Sequence, residues 1–418
     1  MGQTCRKSYT IAGTVAPGYE SVKEMFEENF IAGREDNAQL CVYVGEELVV
    51  DLWGYISDKN YDGDTLTNVF SSTKSLTSIC MAMLLDQGLI KYSDKIIKHW
   101  PEFGQNGKEE VTIADLMRHE AGLAAFDQTL DPIDLLPYNI KNNAVGSVVE
   151  KQSQYFPLAG KRLYHSMTRG WIANEIFRRV HPSGATIGEH LRNTISDMLN
   201  IRVFIGTNDV KFSPVKFMSI PFILSQSFIP RYLTRAIEPN FLELVPILNH
   251  FRKMLMAEKA KKPALEGMDL SGTLWSQPEI RKGESPSVNG NCCARGLAKL
   301  GAVMANRGSF QGVRILSDSA WVAMHGEATE GLIVGNNTLF TQGGVAQFEE
   351  EDRSHTNGRH GYFGWMGFGG SVFQWHPELR IGFGYVPTLL TWTDLINNKA
   401  RLLQAEVVKC AKLTKRNK

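Results

Sequence analysis

Two β-hairpin patterns sit at opposite ends of this 418-residue chain, and its fold has to accommodate both. Near the start, Ala38 to Val44 and Leu48 to Trp53 alternate around Gly45-Glu46-Glu47, the period-two signature of strands joined by a short turn. Near the end, Gly370 to Trp375 and Arg380 to Val386 repeat the pattern around His376-Pro377-Glu378. A helix carrying Val22, Met25, Phe26 and Phe30 on one face precedes the first hairpin, and another from Asp394 through Leu395, Leu402, Leu403 and Val407 follows the second. The sequence between is mainly helical. A lone hairpin is marginal in water. The pattern therefore predicts an α+β fold: one antiparallel sheet built from both chain termini, flanked by helices, with a mainly helical domain inserted. On this reading 1–418 is one unit. Its sheet-containing part spans 9–70 and 330–418, and its helical part spans 71–329.

In the middle, Thr112-Ile113-Ala114-Asp115 reads as a capping box opening a helix that runs to near Gly122. Thr168 to Val180 and Thr186 to Leu199 predict two more helices, the second opened by Thr186 with Glu189. An apolar insertion at 211–257 stands apart. Phe217 to Pro230 has no charge but contains Pro221 and Pro230, with Pro239 and Pro246 following. Proline breaks helices, so short apolar pieces are expected rather than one span. A core-packed insertion, a lid over an apolar pocket and a membrane-surface contact all fit this composition.

Apolar residues make up 43% and charged residues 21%, as in soluble globular proteins. A net charge of +1 argues against a nucleic-acid partner. The six cysteines lack C-x-x-C or histidine-paired spacing and read as buried free thiols of a reducing compartment; adjacent Cys292-Cys293 reads as packing. Met1 to Ser8 has no apolar core for a secretory signal, and Arg6 departs from the myristoylation pattern. The sequon at Asn336 then has no role, and the basic tail Lys412 to Lys418 reads as a solvated end. No apolar run reaches membrane-spanning length. A cytoplasmic protein without stable membrane insertion is the expectation; a homo-oligomer stays open.

Chemistry is suggested first by Ser71-Ser72-Thr73-Lys74. The β-formers Thr67 to Phe70 precede it, and Leu76, Ile79, Cys80, Met83 and Leu84 recur at helical spacing until Gly88. A spacing of three sets Ser71 and Lys74 on one helix face, a turn apart. A lysine whose pKa is driven down from about 10.4 by burial and the helix N-terminus can take the serine proton. Alone, the motif fits a capping serine and a solvated lysine equally well. A second match, Ser213-Pro214-Val215-Lys216, reads as a helix N-cap with proline at the first helical position.

Acyl transfer also needs a proton shuttle and an oxyanion hole. Tyr164, in Tyr164-His165-Ser166, lies between the turn Ala159 to Arg162 and the helix from Thr168. Beside a protonated lysine a phenol ionises more easily, so Tyr164 and Lys74 are candidates to share a proton. Trp365-Met366-Gly367-Phe368-Gly369-Gly370-Ser371 enters the late hairpin. Its glycines permit close approach by a ligand, and an edge-strand N–H there would pair with that of Ser71 as a two-donor hole. His119 at a helix end reads as structural, and His355 and His360 as rim residues. No cluster has metal-ligand spacing and no glycine-rich phosphate loop occurs, so no metal and no cofactor are expected.

The order S-x-x-K, Y-x-S, then W-x-G before a strand resembles the serine β-lactamase and penicillin-binding-protein superfamily. Within it the chain looks most like the class C-type family VIII carboxylesterases. Gly13 to Val22, Leu48 to Gly54, Val111 to Leu123, Tyr164 to Asn174, Ser287 to Asn306 and Phe363 to Trp375 look similar too. The resemblance implies a serine hydrolase with Ser71 as acylated nucleophile, Lys74 as base and Tyr164 as proton shuttle. Trp365-Met366-Gly367 stands where related enzymes carry K-T-G, and Phe368 would give the second oxyanion N–H. Two departures point to neutral esters. Trp365 replaces the lysine that helps hold a substrate carboxylate, leaving an apolar wall and one N–H. Ser166 ends the second motif in place of asparagine. Amide or β-lactam hydrolysis, or a non-catalytic descendant of the fold, are the alternatives.

Overall fold

The computed structural model describes residues 8–155, 162–218, 263–268, 273–333, 336–349, 358–391 and 397–416. Its early strands are β1 (Thr10–Val15), β2 (Asn37–Val44), β3 (Glu47–Tyr55) and β4 (Thr67–Asn68). Short strands β5 (Val203–Ile205), β6 (Lys216–Phe217), β7 (Gly290–Cys292), β8 (Ser309–Phe310) and β9 (Val313–Arg314) follow. Then come β10 (Thr329–Ile333), β11 (Asn336–Phe340), β12 (Ala346–Gln347), β13 (Phe363–Met366), β14 (Val372–His376), β15 (Ile381–Pro387) and β16 (Leu389–Leu390). A nine-stranded antiparallel sheet runs β1-β3-β2-β15-β14-β13-β12-β11-β10. The two hairpins meet where β15 pairs β2, from Ile381 opposite Val44 to Pro387 opposite Ala38. The expected sheet from both ends is therefore present.

Helices cover both faces. On one face, α1 (Glu20–Ile31) packs with the C-terminal helix Asn398–Arg416, burying Val22, Phe26, Leu403 and Val407 against Val42, Val50 and Phe383. On the other, the helix Ala294–Ala305 lies across β15, β2 and β14. Its approach requires Gly382 and Gly384: an added Cβ would sit 2.2 Å from Ala302 N and 2.5 Å from Ala294 O respectively.

The centre of the helical part is α2 (Thr73–Asp86), in which every residue from Thr73 to Leu84 is buried. A helix enclosed all round belongs in a core. Around it lie α3 (Ile113–Met117), α4 (Pro137–Lys141), α5 (Ala144–Lys151), α6 (Thr168–Val180), α7 (Ile187–His190) and α8 (Asp197–Leu199). Three more helices follow: α9 (Pro278–Lys282), α10 (Ala294–Ala305, named above) and α11 (Asp318–His325). The helix Asn398–Arg416 becomes α12.

Three local expectations need correction. The Thr112 capping box is present, but α3 ends at Met117, because His119 adopts φ +67° and turns the chain. The Thr186 segment is α7, a π-turn at Leu191–Ser196, then α8, rather than one α-helix. Ser213-Pro214-Val215-Lys216 caps no helix; it leads into β6, parallel to β16, with Lys216 N–H bonded to Thr388 O. Sheet pairing wins there over the local capping signal. The expected C-terminal helix is α12, which runs to Arg416 and leaves Lys412, Lys415 and Arg416 of the basic tail exposed; its expected start at Asp394 lies outside the described residues.

The short sheet β4-β7-β5 was not foreseen. It ties the segment before Ser71 to Gly290–Cys292. Of the insertion, only 211–218 falls within the described residues. Cys41, Cys80, Cys292, Cys293 and Cys410 are buried and unpaired with one another, and Cys293 caps α10 by accepting from Gly296 N–H. Among the described residues no helix is long and apolar enough to cross a membrane.

Candidate active site

The chain reaches Ser71 through a strained turn. After β4, Phe70 takes φ +44°, a region that bulky residues occupy only when their surroundings impose it. The surroundings do so here. Asn68 Oδ1 accepts the Phe70 N–H at 2.9 Å, and Thr73 Oγ1 donates to Phe70 O at 2.5 Å while accepting from Gly290 N at 2.8 Å. The unforeseen β7 thus helps hold the turn. Ser71 sits in the resulting 3₁₀ turn, Phe70–Ser72, and is 9% exposed.

Lys74, one turn into the core, is fully buried. Its Nζ lies 2.6 Å from Ser166 O, 3.1 Å from Ser287 O and 3.2 Å from Ser71 Oγ. Burial first, and the positive charge of Arg169 second, hold its pKa well below the usual lysine range. No carboxylate pairs with it among the described residues. A neutral amine has two N–H groups and one lone pair. In that free-amine form, with the N–H groups on the two carbonyls, the lone pair would face Ser71 and accept from its hydroxyl. The Ser166 carbonyl, not its side chain, makes this contact.

Tyr164 is half-buried, with its ring centroid 4.7 Å from Lys74 Nζ. Trp365 Nε1 donates to its Oη at 2.9 Å. Burial raises the phenol pKa, and hydrogen bonds with Ser71 and Trp365 only partly offset that. The expectation of an easily ionised phenol is therefore reversed, with burial as the main cause. With Lys74 as the free amine, donors would run in one direction, from the Trp365 indole to Tyr164, from Tyr164 to Ser71, and from Ser71 to Lys74.

The glycine stretch docks against the same turn. Gly367 lies so close that an added Cβ would sit 2.2 Å from Val69 O and 2.1 Å from Ser371 Oγ. Ser371 Oγ donates to Val69 O at 2.7 Å and lies 3.1 Å from Ser72 Oγ. Asn397 Nδ2 donates to Gly367 O and Ser371 O at 2.9 and 2.7 Å. The Gly367 N–H is engaged with Ser371 O, so it is no oxyanion donor. β13 is also an internal strand, not an edge. Yet β12 pairs only with Phe363 and Gly364, so beyond them the strand end is left to approach Ser71. Phe368 follows, its ring 6.1 Å from that of Phe70 and 5.6 Å from that of Phe217.

Ser71, Lys74, Ser166, Tyr164 and Trp365 therefore share one contact network, with Gly367 and Phe368 packed beside it. His119 lies behind: its ring is buried 4.8 Å from that of Tyr164, and its Nδ1 accepts from His165 N at 3.0 Å. His360 is exposed on a turn, and His355 falls outside the described residues. Sequence reading missed Ser287, Asn397 and Arg169. The signal for Arg169 was available, since it shares the apolar face of α6 with Ile172 and Ile176. Among the described residues, no group of three His, Cys, Asp or Glu side chains is placed to hold a metal ion.

The Beta-lactamase family profile matches residues 22–217, the stretch that holds Ser71, Lys74 and Tyr164. A penicillin-binding-protein homologue from Caulobacter crescentus superposes with a TM-score of 0.76 at 26% identity, covering 96% of this chain and 100% of that one. In sequence and in fold the chain is similar to β-lactamase-related proteins. Esterase/beta-lactamase LipL of Mycobacterium tuberculosis (strain ATCC 25618 / H37Rv) is 26% identical over 396 residues, 90% of this chain and 82% of that protein. A family VIII carboxylesterase shares the fold with a TM-score of 0.72 at 24% identity, over 96% of this chain and 100% of that one. The expected β-lactamase/transpeptidase-like fold is thus present over nearly the whole chain.

Proposed function

We propose that this chain is a serine hydrolase that cleaves neutral carboxylic esters through an acyl-enzyme. The contact of Trp365 Nε1 with Tyr164 at 2.9 Å carries the reading. A neutral donor occupies the place of the motif lysine. It orients Tyr164 but offers no charge to a substrate carboxylate. The relatives support the class: one is called an esterase/beta-lactamase and another a carboxylesterase.

In this scheme Ser71 Oγ attacks the ester carbonyl carbon as its proton passes to the Lys74 lone pair. The backbone N–H groups of Ser71 and Phe368 face the oxygen on which negative charge develops. Collapse of the tetrahedral adduct breaks the bond to the alkoxide, which takes the proton of Tyr164; Lys74 restores that proton. Water then attacks the acyl carbon by the same route in reverse. Phe70, Phe368 and Phe217 form an aromatic wall beside the nucleophile, suited to short or medium acyl chains. The unpaired buried cysteines favour a reducing, cytoplasmic setting.

A fluorophosphonate probe should label wild type and not Ser71→Ala, and p-nitrophenyl butyrate should be hydrolysed faster than a chromogenic cephalosporin. Unlabelled, well-folded wild type would overturn the enzyme reading. Faster turnover of the cephalosporin would replace esters by β-lactams.

A further inference from the structure

Arg169 is fully buried beside the site, yet the acyl-transfer scheme does not use it. Its Nη2 donates to Ser78 Oγ at 2.6 Å and to Lys74 O at 3.4 Å. Its Nε has no partner among the described residues. Nη1 lies 3.3 Å from His119 Nε2. Because His119 Nδ1 already accepts the His165 N–H, a neutral ring carries its proton on Nε2. That nitrogen faces the guanidinium without accepting from it. Only neutral oxygens meet the charge. Nearby, Arg162 is paired with Glu120, and Arg178 and Arg179 with Glu175; Arg169 has no carboxylate partner among the described residues. A buried charge left uncompensated is costly, and such costs concentrate where function needs them.

The niche is built to fit. Gly344, at φ +80°, leaves the space, since a Cβ there would lie 2.6 Å from Arg169 Nη2 and 2.9 Å from Met117 O. Ser78 Oγ accepts from Arg169 and donates to Gly344 O at 3.1 Å. Lys74 and Ser78 are four residues apart on α2, so the guanidinium grips the turn that presents the lysine.

We propose that Arg169 is a positioning residue: it clamps the Lys74 turn of α2 and, through its uncompensated charge, biases Lys74 towards the free amine. This rests on the reading of Ser71 and Lys74 as nucleophile and base. Burial lowers the Arg169 pKa to about 10, so it is still cationic at neutral pH. The other ionisable groups on the packed elements do not neutralise it. His119, Tyr164 and His165 flank Lys74, and buried Tyr92 lies behind. Glu284 is held by Thr186, Asn174 and Gly188 and acts on Cys80. His190 on α7 contacts Met83, His325 on α11 bonds Trp321 and Trp375, and Asp86 ends α2 against Ser317.

The test is the pH profile of kcat/KM for p-nitrophenyl butyrate. Removing the cation makes Lys74 easier to protonate, so the acid limb should move upward. We expect Arg169→Met to move it by about one pH unit, with the loss of the clamp read separately as a fall in the alkaline plateau. Arg169→Lys, which keeps a charge, should leave the limb nearly in place. Should Arg169→Met not fold, Arg169→Gln makes the same comparison. Ser78→Asp, which retains the arginine but supplies a counter-charge, should also shift the limb upward. A rate lost equally at every pH, with the limb unmoved, would mean a merely structural arginine and overturn the proposal. Wild type that neither hydrolyses esters nor reacts with a fluorophosphonate would instead remove the reading underneath, and the proposal with it.

Discussion

Two S-x-x-K tetrads in this chain have opposite fates. Ser71 and Lys74 span a 3₁₀ turn and the first turn of α2, where a spacing of three brings Nζ within 3.2 Å of Oγ. Ser213 and Lys216 lie in extended chain, where residues three apart point to opposite sides. Ser213 turns inward and accepts from Asn37 Nδ2 at 3.2 Å, while Lys216 turns outward and pairs with Asp36. Burial separates them further, since Lys74 is sealed in and the Lys216 side chain is 59% exposed. A motif becomes a site only when backbone geometry joins its ends and desolvation retunes its base.

The sharpest way to break this contrast is to remove each serine in turn. Ser71→Ala or Lys74→Met should lower ester kcat/KM by about 10⁴-fold or more, whereas Ser213→Ala should leave it unchanged. Comparable losses at both serines would erase the distinction. Next, Trp365→Lys should raise the ratio of cephalosporin to ester turnover by about 10- to 100-fold by restoring a carboxylate partner. An unchanged ratio would show that Trp365 does not set substrate class. Phe217→Ala should favour longer acyl chains in a p-nitrophenyl ester series by severalfold; an unaltered chain-length profile would free Phe217 of that role.

Stability against pH sharpens the comparison thermodynamically. Folded Lys74 has a depressed pKa, so below about 10.4 the unfolded chain binds more protons at this residue. Stability therefore rises with pH between the folded and unfolded values, by at most about 1.4 kcal/mol per unit from this group. Denaturant melts at several alkaline pH values should show that slope in wild type and a shallower one in Lys74→Met. At the second tetrad the effects are smaller. Ser213→Ala should cost about 1 kcal/mol through the lost bond to Asn37, and Lys216→Ala about 0.5 kcal/mol or less.

Patterns that depend on neighbours along the chain were legible: the period-two hairpins, the capping box at Thr112, the helix from Thr168 to Val180. So were the positions of Ser71, Lys74, Tyr164 and Trp365, because spaced motifs survive as a linear order. Where reading failed, a distant partner had decided. β16 drew Ser213–Lys216 out of a helix cap, and His165 pins the ring of His119 where α3 stops short. Gly290 steadies the turn at Phe70 from more than two hundred residues away.

By itself, then, the sequence determined the elements, their periodicity and the chemical types available, since propensity and alternation act over a few residues. Tertiary structure alone decided which serine meets its lysine, that burial drives the lysine pKa down, and that burial drives the pKa of the phenol beside it up. Those are matters of desolvation and of charges such as Arg169, and no local stretch of sequence encodes them.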